Sequence, residues 1–92
     1  MKIRELLDSP EKWTKQWYAY NKEGRRTNCS DDDATCWCLM GAVAKCYGSN
    51  IKEEKQIIQL LNKETGGNVV EWYDNPERKF DEVKALVERL DV

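Results

Sequence analysis

Histidine is absent from this chain, and with it go the commonest general base of enzymes, the His-paired Ser or Cys nucleophile and His-ligated zinc. Glycine is scarce, at five residues, and forms no phosphate-cradling loop; neither a P-loop nor a G-x-S-x-G elbow is present. No apolar run approaches the ~20 residues of a membrane-spanning helix. The N-terminal Met1-Lys2-Ile3-Arg4-Glu5 lacks the apolar centre of a signal peptide. Excess positive charge is missing too: the net charge is −2, so the basic stripe of a nucleic-acid binder is not expected. Residues 1–46 carry eight basic and seven acidic side chains, and residues 47–92 seven and ten, so neither half hides one.

What remains is a short chain with a real core. Its 92 residues suit one domain, 1–92, and the hydrophobic fraction of 40% beside 35% charged residues fits a globular protein. Four tryptophans bury much area with few side chains. The cytoplasm is the expected compartment, where four cysteines are thiols rather than disulfides.

The longest uncharged stretch is Ala34–Ala44, introduced by Asp31-Asp32-Asp33. Read as a helix over 34–46, it is capped by Asp32 or Asp33, stops at Gly48 and is buried nearly all round. Gly41 and Ala42 then allow another element to approach closely. Around it the spacing predicts a short first helix from Ile3, Leu6 and Leu7, ended by Asp8-Ser9-Pro10. A helix over 51–64 follows Asn50 and ends at Gly66-Gly67. The last helix, 79–90, carries Phe80, Val83, Val87 and Leu90 on one face. Residues 17–27 read as an irregular loop or small β-hairpin. The fold class is mainly α, a compact bundle of about four helices around the 34–46 helix.

Trp13-Thr14, Gly24, Cys36-Trp37-Cys38-Leu39-x-Gly41-Ala42, Trp72-x-Asp74 and the closing Glu82-Val83-x-Ala85-Leu86 occur in one order. This pattern resembles a family of small bacterial and bacteriophage proteins of unknown function, across about residues 5–90. Its members usually read Trp-Asn-Asp where this chain has Trp72-Tyr73-Asp74, and many have a longer loop at 48–52. The resemblance implies a fold and a bacterial or phage setting. It implies no catalytic residue.

Each candidate site has a plainer rival. Cys29, Cys36, Cys38 and Cys46 lack the C-x2–4-C spacing of zinc sites. On one helix Cys36 and Cys38 would point about 200° apart. Buried thiols outweigh a metal or a redox pair, and Cys29, in a polar loop, is the most reactive of the four. The acidic run lacks the alternation and distant Glu of a calcium loop, and Asp74, beside Asn75-Pro76, reads as a turn residue. Trp13, Cys36, Trp37, Cys38, Gly41, Ala42 and Trp72 are the expected structural core.

No catalytic constellation, cofactor site or metal site emerges. Binding is the better expectation, because Trp17, Tyr18 and Tyr20 form an aromatic segment with Arg25 and Arg26 nearby. The leading expectation is a non-enzymatic accessory protein that binds an unidentified protein partner, such as a host or defence factor. The other is a module for a small anionic metabolite or nucleotide, held between the rings and the two arginines.

Overall fold

The computed structural model describes all 92 residues. Helix α1 (Ile3–Leu6) opens where the Lys2 N–H donates to Glu5 Oε1 at 2.9 Å. It buries Ile3 and Leu6 together with Leu7. A 3-10 turn over Pro10–Lys12 leads to strand β1 (Ala19–Asn21), which pairs antiparallel with β2 (Ala34–Trp37). The register sets Ala19 against Trp37 and Tyr20 against Cys36, with a bulge between Tyr20 and Asn21. Helices α2 (Leu39–Tyr47), α3 (Ile51–Glu64), α4 (Val69–Asp74) and α5 (Phe80–Leu90) complete the chain. About half of it is helical, so the mainly α reading holds in outline.

The expected 34–46 helix is the main correction. Residues 34–37 are strand, and the helix starts only at Leu39. Cys38 is its N-cap, with Sγ accepting from the Gly41 N–H at 3.3 Å. The two-stranded pairing supplies backbone partners to Ala34–Trp37 that a first helical turn would have supplied otherwise. Asp32 and Asp33 therefore cap nothing. The Thr27 hydroxyl lies 2.8 Å from Asp31 Oδ2 and 3.1 Å from Asp33 Oδ1, so these carboxylates fasten the loop before β2.

The 17–27 segment does turn back on itself. Asn21 Oδ1 accepts from the Glu23 and Arg25 N–H groups, both at 3.0 Å, and Tyr20 bridges to Arg26. The principal partner of β1, however, is β2. Farther along, local chemistry sets the boundaries. Asn50 accepts from the Glu53 N–H at 3.1 Å to start α3, and Thr65-Gly66-Gly67 ends it, with Gly66 at φ +89°.

Leu39, Ala42 and Val43 of α2 have no exposed surface, nor do Ile3, Leu7, Leu61, Val83 and Val87 from the helices around them. Each buried Leu, Ile or Val among them contributes about 1.5–3 kcal/mol over an exposed position. No polar or charged side chain is buried. Of the residues expected inside, Trp37, Cys38, Gly41 and Ala42 are buried, while Trp13 and Trp72 are half-buried at the core's edge. Cys36 is outside the core and half-buried, because strand alternation turns it away from the face that buries Trp37.

Candidate binding cleft

Two short pieces of backbone, residues 16–18 and helix α4, face each other across the start of α2. Gln16 takes the left-handed conformation at φ +78°, a costly choice for a residue with a Cβ. It turns the chain so that the Tyr18 carbonyl accepts the Cys38 N–H at 3.2 Å. That carbonyl rests on Gly41: a Cβ there would stand 2.0 Å from the Tyr18 oxygen. Only glycine permits this seat. The glycine that the sequence marked as a point of close approach thus receives the Tyr18 backbone.

Helix α4 is pinned on the other side. Asn68 Oδ1 accepts from the N–H groups of Val70 and Glu71 at 3.0 and 3.2 Å, and Asn62 Oδ1 accepts from Val69 at 2.9 Å. Val70, Tyr73 and Asp74 lie on one face of its turn, following the i, i+3, i+4 rule. Between α4 and the 16–18 segment lies a cleft of about 290 Å³, walled by Trp17, Tyr18, Met40, Val70, Tyr73 and Asp74. Trp17 is 37% exposed, Tyr18 52% and Val70 40%. The Trp17 and Tyr18 rings stand 5.7 Å apart at 74°, as two adjoining walls.

Cys38 lies deeper, where its Sγ accepts from the Gly41 N–H and, at 3.8 Å, from the Tyr73 hydroxyl. Both bonds favour a thiolate, yet burial prevails and pushes the thiol upward. Burial likewise raises the Tyr73 hydroxyl. The pair is neutral at pH 7, so it offers a polar contact and no nucleophile. Burial also holds the Cys46 thiol up, at about 11. All four cysteines are free, and no three acidic or thiol side chains converge as a metal site would require. Cys29 is half-buried against the core, and its carbonyl accepts the Trp37 indole N–H at 3.0 Å.

The expected binding residues are only partly brought together. Trp17 and Tyr18 line the cleft; Tyr20 does not, being half-buried on β1 opposite Cys36. Arg26 places its guanidinium 4.5 Å from the Trp17 ring centroid, and Arg25 is exposed on the adjacent turn. Gln16, Met40, Val70, Tyr73 and Asp74 escaped sequence reasoning as a group. Sequence reasoning takes Trp72 as core and Asp74 as a turn residue, and of the two only Asp74 lines the cleft. Another hollow, of about 350 Å³, lies over Leu6 and Trp37, but its one ring is only 7% exposed and belongs to the core.

The fold and site define a small, half-helical domain with a two-stranded sheet and a cleft of partly exposed aromatic rings. The family of unknown function DUF6197 is matched over residues 1–90, and the chain belongs to that family. No curated protein and no solved structure matches it. None of its helices is long and apolar enough to cross a membrane.

Proposed function

We infer that this is a non-enzymatic accessory protein, bacterial or phage-borne and cytoplasmic, that acts by binding another protein. The observation that carries this reading is the exposure of Trp17 and Tyr18 on backbone held rigidly by the Gly41 seat. Rigid aromatic side chains lose little entropy on binding and supply much contact area, which is why they dominate protein interfaces. Val70 extends the apolar lip across the cleft. A host or defence factor is the class of partner proposed. Capture from bacterial lysate tests this, comparing wild type with a Trp17→Ala, Tyr18→Ala double variant. Recovery of a specific partner by the wild type alone supports the reading; no specific partner, or equal recovery by both, refutes it.

The alternative is a pocket for an anionic metabolite or nucleotide, and it draws its support from Arg26 stacked on Trp17. A nucleotide panel in a thermal-shift assay tests it, because a ligand that binds only the folded state raises the midpoint. The cleft itself presents a carboxylate, Asp74, and no cationic side chain among its walls, which favours the protein-binding reading.

A further inference from the structure

Three carboxylates on α4 and the turn after it are left without partners. Glu71, Asp74 and Glu77 are exposed, and none belongs to the five salt bridges of the molecule. Arg78 and Lys15, which bond the backbone on either side of Asp74, are committed elsewhere, and Arg26 lies on the Trp17 ring. Arg78 pairs with Glu82 at 2.7 Å and stacks 4.0 Å from the Trp72 centroid. Lys15 donates to the Asn75 carbonyl at 2.8 Å and stands 5.4 Å from the Trp13 centroid. Of the unpaired carboxylates, Asp74 lines the cleft, beside Trp17, Tyr18 and Tyr73. Aromatic walls with a carboxylate at the rim favour a cation, through the negative ring faces and direct charge attraction.

We propose that the cleft receives an arginine side chain from a basic segment of the partner protein, packed between the Trp17 and Tyr18 rings and paired with Asp74. This rests on the protein-binding reading above and adds the chemistry of the partner. Several features select the occupant. The Trp17 ring already accepts a guanidinium from within the chain, that of Arg26. Arg26 itself is not among the residues that line the cleft. A planar guanidinium can stack on a ring and bond a carboxylate together, which an ammonium does less well. The volume of about 290 Å³ suits a single side chain. Exposed Tyr18 and Val70 at the lip, Val70 on a chain segment that also carries the exposed Glu71 and Glu77, suit a continuing basic chain rather than a free small cation.

The test is a ¹H–¹⁵N titration of the whole protein at low salt, with a five-residue peptide of glycines around a central arginine. Saturable shifts of the Trp17 indole N–H and of the Tyr18, Val70 and Asp74 amides are expected. The same peptide with neutral citrulline in place of arginine should give none. Asp74→Asn should weaken binding about fivefold, the upper end for a solvent-accessible ion pair. Trp17→Ala should abolish it, with the thermal midpoint of each variant showing that both still fold. Equal binding of the citrulline peptide, or no change on Asp74→Asn, overturns the proposal. Methylguanidinium binding as tightly as the peptide overturns the protein source, and adenosine monophosphate saturating the same resonances overturns the charge. Capture of a lysate partner that needs Trp17 and Tyr18 but not Asp74 would sink this inference while leaving the protein-binding reading intact.

Discussion

Where α1 meets α5, the molecule is sealed; where residues 16–18 meet α4, it is left open. At the seal, Ile3, Leu7, Val83 and Val87 have no exposed surface and Val92 is buried beside them. The carboxylate there is fully engaged: Asp91 pairs with Lys2 at 2.7 Å and with Arg4 at 2.8 Å. The Arg4 N–H donates to the Val92 carbonyl, and Lys84 Nζ to the Arg4 carbonyl. At the cleft, rings stay in solvent, Asp74 has no ion pair and Gln16 holds a backbone angle that costs energy. One small chain satisfies its groups at the first place and withholds them at the second. The difference separates the part that stabilises the domain from the part that leaves rings and a carboxylate exposed.

Substitutions sharpen this contrast. Trp37→Ala should cost about 3–5 kcal/mol, by emptying a large core site and leaving the Cys29 carbonyl without its donor. Against a total of about 5–14 kcal/mol for a chain of this size, denaturant unfolding should show a large loss or no folded state. An almost unchanged midpoint would mean that Trp37 is not part of the core. Gly41→Ala comes next, at about 1–3 kcal/mol, because the new methyl must displace the Tyr18 carbonyl. Near-ultraviolet dichroism or Trp17 and Tyr18 resonances should report a disturbed cleft, and a native-like spectrum at full stability would remove the seat from the argument.

Trp17→Ala should change stability by no more than about 0.5 kcal/mol, as exposed positions do, while partner capture fails. A much larger loss of stability would turn the open region into a structural one. The smallest effect belongs to the seal's rim. Hydrogen bonds from Lys2 and Arg4 hold the Asp91 carboxyl below the ordinary carboxylate range. Its stabilising contribution is present above the unfolded value and is lost as pH falls through the lower folded value. The midpoint difference between wild type and Asp91→Asn should therefore be constant near neutrality and close in acid. A difference that persists in strong acid would rule out the ion pair as its source.

The elements that local chemistry fixes were legible in the sequence. Helix α3 runs over the expected residues because Asn50 and Gly66-Gly67 punctuate it, and α5 follows from the spacing of Val83, Leu86 and Val87. The start of α2 was not legible. An uncharged run such as Ala34–Ala44 gives no polar face from which to read a period, and the acidic residues before it imitate a cap. Only the pairing with Ala19–Asn21, a distant segment without a strong strand pattern, makes residues 34–37 extended. The cleft was half legible for the same reason. Trp17 and Tyr18 stand out in any reading, but their juxtaposition with Val70, Tyr73 and Asp74 depends on where α4 lands.

The Gly41 seat also bears on how the cleft can vary. It fixes the course of the 16–18 backbone through a glycine and a carbonyl, with no hydrogen bond from the side chains of Trp17, Val70 or Asp74. Trp17, Val70 and Asp74 are therefore free to vary without disturbing the frame that displays them. Exposed side chains of the cleft can change while the backbone that carries them stays in place, whereas any side chain at position 41 must push that backbone aside.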